Sequence, residues 1–344
     1  MTIALRAFCV LAAVVGACPA FAGDAPRRQL NLLCTVTLPW CEALATAFEK
    51  KNGIKVAVTQ KERAEVLPLL SSQRASPRFD VWYAGTADLH LQAAELGLVG
   101  EYRSPQLDEL RDWAVRQAQQ TRYRSVGLYL RAVGVVVNER RLAAKQLPEP
   151  KCWTDLARPE YDDQLDMGHP TQSSAARATL LALVQALGEE KAFDLIRRIH
   201  VNVNKYMRRA GNAARAVARG EATVAAAFVF TVTQEIVDGF PVKLIVPCEG
   251  LPYDVLAMSI VSNARNAEDA RAFYEWALTP ESLQIAYKFS YWQMPAHRNA
   301  ELPVRVLNTD QAKLIDVDVA RFGTAERRRL FDRWNREVSI VPRK

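Results

Sequence analysis

The sequence predicts an α/β fold with two lobes. Segments with strand character alternate with segments of helical periodicity along almost the whole chain. Polar loops follow strands in both halves, and a length of 344 residues is typical of two domains rather than one. Such alternation indicates α/β layers with mixed, mainly parallel sheets and helices on both faces.

The first half of the chain opens with a predicted strand, helix and strand. Residues 30–33 are apolar, and residues 42–52 place Leu44 and Phe48 on one helical face with Trp40. Gly53 is suited to end that helix, and residues 54–60 then alternate as a strand does. Further strands are predicted at residues 79–84, before a helix that begins within residues 85–88, and at the valine-rich residues 132–138.

The second half continues the alternation. Helices are predicted at residues 174–187, which Gly188 follows, and at residues 267–278. Strands are predicted at residues 223–230, 242–246 and 256–261. A C-terminal helix carries Leu330 and Trp334 on its apolar side, so the three arginines at residues 327–329 are interpreted as its solvated face.

The first 22 residues have the pattern of a secretory signal peptide. Arg6 precedes an apolar stretch that is too short to span a bilayer, and a small-x-small cleavage site lies at residues 20–22. Residues 15–18 also resemble a lipoprotein processing box, which would leave a lipid anchor at Cys18. Either route predicts an exported protein.

Four cysteines remain after removal of the signal peptide. An even number in an exported chain favours disulfides, and we predict Cys34–Cys41 and Cys152–Cys248. The first pair is close in sequence, and the second joins two distant loops; free thiols are the alternative. Zinc is not expected, because no cysteine pair has finger spacing and the four histidines are scattered.

The formal net charge is +7 at pH 7, with basic residues spread along the chain. This pattern gives little support for a nucleic-acid partner. A positive field does favour a small anionic ligand.

Ligands in α/β sheets bind beyond the carboxyl ends of strands. Six loops meet that description and come from both halves of the chain, which predicts a cleft between two lobes. They are residues 35–40, 85–88, 170–174, 208–212, 230–233 and 249–254.

An ordered set of segments resembles one known family. The segments are residues 33–56, Phe79-Asp-Val-Trp-Tyr-Ala-Gly85, His169-Pro-Thr-Gln-Ser-Ser174, Asn202-Val-Asn-Lys-Tyr206, residues 218–221, Pro247-Cys-Glu-Gly250 and residues 270–277. Together they resemble the periplasmic solute-binding proteins of ferric-ion-type ABC transporters. The resemblance implies a periplasmic binding protein type II fold, with residues 23–134 and 256–344 in lobe 1 and residues 135–255 in lobe 2.

The sequence departs from this family at its iron ligands. Members that bind ferric iron use a neighbouring pair of tyrosines, whereas the matching segment here is Phe228-Val-Phe230-Thr231. Phenylalanine offers no anionic oxygen to a hard trivalent cation, so no metal and no cofactor are predicted. Ferric iron stays the alternative ligand, bound through a synergistic anion with Tyr83, Tyr253 or Tyr291.

The loops suggest how an anion would be held. Ser173 and Ser174 begin a helix whose first N–H groups and dipole favour an oxyanion, although a plain N-cap explains either serine. Arg208 or Arg209 offers a two-pronged donor to phosphate or carboxylate, and a solvated surface is the alternative for both. The remaining candidate ligand residues are Thr35, Thr37, Trp40, Gly85, Thr86, Phe230, Tyr253 and Asp254.

These observations predict a monomeric, non-catalytic binding protein in the periplasm. It would capture a sugar phosphate, a phosphonate or a small carboxylate by lobe closure and deliver it to an ABC permease in the inner membrane. A secreted enzyme is a weaker alternative, because the sequence holds no Gly-x-Ser-x-Gly or His-Glu-x-x-His motif. A ligand-loaded partner of a sensor would have the same sequence features.

Overall fold

The computed structural model describes residues 28–318 and 321–343. The predicted signal peptide and the alternative anchor at Cys18 lie outside the described residues. Within the described part of the chain, no helix combines the length and the apolar character needed to cross a membrane.

Strands and helices alternate as predicted. The strands of the described residues are β1 (Gln29–Cys34), β2 (Lys55–Gln60), β3 (Val81–Thr86), β4 (Val126–Asn138), β5 (Leu165–Gly168), β6 (Val203–Met207), β7 (Val224–Phe228), β8 (Val242–Ile245), β9 (Leu251–Ile260), β10 (Met294–Pro295) and β11 (Leu314–Ile315). The helices are α1 (Leu38–Asn52), α2 (Arg63–Ser72), α3 (Ala87–Glu95), α4 (Asp112–Gln120), α5 (Glu139–Ala144), α6 (Ser174–Leu187), α7 (Glu189–Val201), α8 (Ala210–Ala218), α9 (Val229–Val237), α10 (Ala267–Ala277), α11 (Pro280–Leu283) and α12 (Thr324–Glu337).

One mixed sheet runs through the molecule in the order β2-β1-β3-β9-β4-β7-β5-β6. Parallel pairs lie towards its two ends, where β1 pairs with β2 and β3, and β5 pairs with β6 and β7. Antiparallel pairs are concentrated at β4 and β9 in the middle. The long strand β4 pairs with β9 over residues 126–132 and with β7 over residues 133–137. A single strand therefore joins the two halves of the sheet.

Two large hydrophobic cores lie on either side of this junction. The first core includes Trp40, Phe48, Tyr83, Tyr129 and Phe273. The second core includes Trp153, Tyr161, Phe193, Phe322 and Trp334. The lobe boundaries given above stay a prediction. The C-terminal helix, which that prediction places in lobe 1, packs elsewhere. Its apolar side packs in the second core, because Leu330, Trp334 and Val338 belong to the buried cluster that also contains residues of α6 and α7.

Several element ends follow directly from local chemistry. Gly53 ends α1 in the left-handed conformation with φ +68°, and α6 has the predicted bounds. Helix α1 begins four residues earlier than expected, with a proline in its first turn. Strand β7 ends at Phe228, and α9 starts at Val229, so the prediction that the strand continues to Phe230 is wrong.

Both predicted disulfides are present in the structure. Cys34 is bonded to Cys41 across the loop between β1 and α1. Cys152 is bonded to Cys248 and closes a loop with a sequence separation of 96 residues.

Removing the second disulfide is expected to cost more stability than removing the first. In the chain-entropy description, a loop of about 100 residues contributes about 4.7 kcal/mol, and one of about eight residues contributes about 2.5 kcal/mol. Cys152→Ala with Cys248→Ala should therefore lower the free energy of unfolding more than Cys34→Ala with Cys41→Ala in urea titrations. A larger loss of stability in the Cys34→Ala, Cys41→Ala variant, measured without a reducing agent, would contradict this account.

Helix α12 is also held to α7 by ion pairs that depend on pH. The Arg329 and Arg333 guanidinium groups bind the carboxylate of Glu189. The hydrogen bond from Arg329 is the main reason that the pKa of Glu189 lies at about 2, below its ordinary 4.5. A depressed carboxyl pKa stabilises the fold above the unfolded value, and this contribution is lost as pH falls from 4.5 towards 2.

The variant Glu189→Gln should therefore have a free energy of unfolding that depends less steeply on pH between 4.5 and 2. Denaturant titrations at a series of pH values measure this slope. The matched control is Glu42→Gln, an exposed glutamate on α1, which should keep the wild-type slope. Equal slopes for all three proteins would show that the ion pairs between α7 and α12 do not contribute to the pH dependence of stability.

Candidate functional site

A cleft lies between the two cores, beside strands β4 and β9. Its walls come from α3 and α4 on one side and from α6 on the other, and the chain before and within α12 closes one end. The charged and aromatic residues that line it are Asp88, Trp113, Arg116, Arg177, Tyr253, Asp254, Phe322 and Arg327. We call this space the interlobe cleft.

A largely buried ion pair joins β4 to β9 at the cleft. The Arg131 Nε atom donates to the Asp254 Oδ1 atom at 2.6 Å, and its Nη2 atom donates to Oδ2. These residues are directly opposite each other in the β4–β9 register. The Arg131 guanidinium also lies 4.6 Å from the ring centroid of Phe228. Two-pronged hydrogen bonding of this kind holds both groups in one orientation.

Two further arginines approach the same region without an acceptor among the described residues. Arg63 begins α2, and Arg177 lies in the first turn of α6 and lines the cleft. Burial, followed by repulsion from Arg131, lowers the pKa of Arg63 to about 10. A partly buried cation without a partner is costly. A bound anion would reduce that cost.

The cleft also contains an ionised carboxylate, Asp88. Burial raises its pKa, but Arg327 and Arg177 lower it further, so the pKa lies below its usual range. Asp88 and Asp254 balance only part of the positive charge of Arg63, Arg131, Arg177 and Arg327. The region is therefore cationic overall and keeps two carboxylates as hydrogen-bond acceptors.

The structure brings some of the predicted site residues into the cleft. Ser174, Tyr253 and Asp254 line it. The Tyr253 hydroxyl donates to the Asp316 Oδ1 atom at 2.7 Å. Ser173 is the N-cap of α6, and its hydroxyl accepts from the Ala176 backbone N–H at 3.4 Å. This is the plain N-cap that the sequence analysis gave as the alternative to anion binding.

Other predicted residues are buried. The Thr35 hydroxyl donates to the Tyr83 backbone oxygen, and Trp40 packs against Tyr83 and Tyr129 with no exposed surface. Trp40 is therefore a core residue in this structure rather than a wall of the cleft. Thr86 is buried, with 1% exposure.

The last group lies outside the cleft. Thr37 is exposed at the start of α1, and Arg209 is exposed just before α8. Arg208 lines a separate open groove with Lys205, Arg215 and Arg219. Phe230 is partly buried, with its ring centroid 5.6 Å from that of Phe228, because both residues lie at the turn from β7 into α9.

Four of the arginines in or beside the cleft (Arg63, Arg131, Arg177 and Arg327) were not identified as site residues from the sequence, although three of them had a usable signal. Arg131 stands within an otherwise apolar strand, and Arg177 is the only charged residue of α6. Arg327 was interpreted as solvated, and that interpretation is wrong, since its exposure is 7%. Its place on the apolar side of α12, three residues before Leu330, was the available signal. Arg63 had no local signal.

Residues 76–321 match the sequence model of a family described as bacterial extracellular solute-binding proteins. The chain belongs to this family. An uncharacterized protein of Haemophilus influenzae is 32% identical over 336 residues, which are 96% of this chain and 97% of that protein. The predicted family resemblance is thereby confirmed.

Solved structures confirm the two-lobed periplasmic binding protein fold. The periplasmic binding protein AfuA from Actinobacillus pleuropneumoniae, with exogenous fructose-6-phosphate bound, has a TM-score of 0.79 and 31% identity. The match covers 92% of this chain and all of AfuA. Iron-bound HitA from Pseudomonas aeruginosa has a TM-score of 0.76 at 18% identity, over 91% of this chain and 100% of HitA, which shows the fold alone.

Gly85 leaves room for two stacked rings in the core, those of Trp82 and His90. A Cβ atom there would lie 2.3 Å from the Trp82 ring and 2.6 Å from the His90 Nε2 atom. These two rings are stacked with centroids 3.8 Å apart. The close approach of Gly85 is therefore to the core in this structure.

Gly85→Ala should lower the free energy of unfolding by about 1–3 kcal/mol, because the Trp82–His90 stack must move. Urea titration measures the change. Gly100→Ala is the matched control, since a Cβ atom there would meet no atom closer than 4.0 Å. Equal stability of the two variants would show that the stack adjusts freely.

Proposed function

We propose that this solute-binding protein works in the periplasm as a monomer and captures a small organic anion, a phosphorylated sugar above all. It would deliver the solute to an ABC permease in the inner membrane. The observation that carries the proposal is the pair of arginines without acceptors, Arg63 and Arg177, beside the Arg131–Asp254 pair. They come from separate elements, and a single anion between them would supply the acceptor that each lacks.

The polar remainder of the ligand has partners in the same space. Asp88 and Asp254 accept hydrogen bonds, as sugar hydroxyls require, and the aromatic ring of Trp113 lines the cleft. AfuA, at 31% identity, has a structure with fructose-6-phosphate bound, and this supports the same ligand class here. The family is one of binding proteins, and we propose no catalytic step.

Ferric iron, the alternative ligand, is disfavoured by charge. Arginines outnumber carboxylates around the cleft, so a bare trivalent cation would be repelled. Phe228 and Phe230 carry no oxygen at the positions that the family resemblance assigned to iron ligands. Iron binding would therefore need an accompanying anion.

Replacing either unpaired arginine should weaken anion binding. We expect Arg177→Gln and Arg63→Gln each to raise the Kd for fructose-6-phosphate at least tenfold, about 1.4 kcal/mol, because each removes a charge that faces the anion. Isothermal titration of metal-free protein measures the Kd. Arg140→Gln is the matched control, since Arg140 is an exposed arginine on α5.

The same titrations test the sequence-based prediction for Arg209. Unchanged affinity in Arg209→Ala would remove Arg209 from the site. Ferric citrate, inorganic phosphate and a small carboxylate serve as competing ligands. Binding of ferric citrate alone, with no response to organic anions, would overturn the proposed ligand class.

A further inference from the structure

The chain after β10 crosses the end of the interlobe cleft. Strand β11 pairs with β9, with Leu314 opposite Leu251. The Asp316 carboxylate then accepts from Arg116 on α4 at 2.9 Å and from the Tyr253 hydroxyl at 2.7 Å. We call the described residues 314–318 and 321–338 the C-terminal strap.

Helix α12 of the strap contacts α3, which packs with strands of the first half of the sheet. The Thr324 hydroxyl donates to the Glu95 Oε2 atom at 3.0 Å. The Arg327 Nη2 atom donates to the Asp88 backbone oxygen at 3.3 Å, and Nη1 lies 3.9 Å from the Asp88 carboxylate. The two contacts are three residues apart on one face of α12.

The other face of α12 attaches the strap to the second core. Leu330, Trp334 and Val338 are buried there, and Arg333 binds both Glu189 and Glu190 on α7. These contacts are sufficient to dock α12 on the second core. They leave unexplained why Arg327 is also buried, at 7% exposure, facing α3. Burial of a guanidinium against the other half of the molecule indicates a role between the halves.

We propose that the C-terminal strap is a clasp between the lobes and that Arg327 is a positioning residue for solute binding. Arg327 holds Asp88 at the cleft, and together with the Thr324–Glu95 contact it resists separation of α3 from the second core. A bound solute can leave only when these contacts open. The strap thereby sets the rate of solute release. This inference rests on the proposed function for its ligand.

The test is the release rate of fructose-6-phosphate, followed by stopped-flow tryptophan fluorescence, which Trp113 in the cleft makes suitable. Arg327→Gln and Thr324→Val should each increase the dissociation rate constant, by about tenfold and about threefold, because changes within one interface act mainly on dissociation. Arg327→Lys, which keeps the positive charge, should have a dissociation rate constant between those of the wild type and Arg327→Gln. Arg328→Gln is the matched control, since Arg328 is the exposed neighbour on the same helix.

Each outcome decides the proposal. Faster release in both strap variants, with Arg328→Gln unchanged, supports the clasp. Faster release in Arg327→Gln alone would make Arg327 a direct ligand contact and overturn the clasp, as would no change in either variant. If Arg327→Gln does not fold, Thr324→Val, which lies outside the lining of the cleft, carries the test.

A second measurement separates this inference from the proposed function. If the wild-type protein binds no organic anion, the proposed function fails, and small-angle scattering of the unliganded proteins then tests the clasp. Both strap variants should have a larger radius of gyration than the wild type and Arg328→Gln. Equal radii would overturn the clasp.

Discussion

The architecture is organised around β4, the strand that passes from one core to the other, and around the ion pair that joins it to the antiparallel strand β9. Arg131 and Asp254 are opposite each other where the pairing partner of β4 changes from β9 to β7. A buried arginine without its carboxylate would cost several kcal/mol. The pair therefore specifies one register at the junction and leaves a fixed charged surface at the floor of the cleft.

The charges around this junction connect the fold to solute binding. Arg63, Arg177 and Arg327 come from α2, α6 and α12, far apart in sequence, and only tertiary packing places them near Asp88 and Asp254. An excess of guanidinium groups in a partly desolvated space is unfavourable until an anion enters. Burial and the neighbouring Arg131, which lower the pKa of Arg63, therefore also favour an anionic ligand.

The sequence allowed much of the fold to be predicted because its signals are local. Gly53 and the bounds of α6 follow from turn chemistry and helical periodicity, and the family match confirms the fold class. The even number of cysteines favoured disulfides, and the pairing chosen among three is the one in the structure. The site was predicted less well, and its ligand residues remain predictions. Phe230 was placed on a strand because residues 224–230 are uniformly apolar, and such a run does not show where a strand becomes a helix.

The order of the elements and the family could be predicted from the sequence, since these depend on local periodicity and ordered motifs. Four cysteines allow three pairings, and the structure contains the pairing that we predicted. Which charged groups lie close together depends on tertiary packing. Arg327 has the pattern of a solvated arginine run, yet it is buried because α12 docks on the second core and turns this residue towards α3. Arg208 and Arg209 have the pattern of ligand residues, yet they are exposed outside the cleft. Burial and charge neighbours depend on contacts between distant segments, which no local pattern encodes.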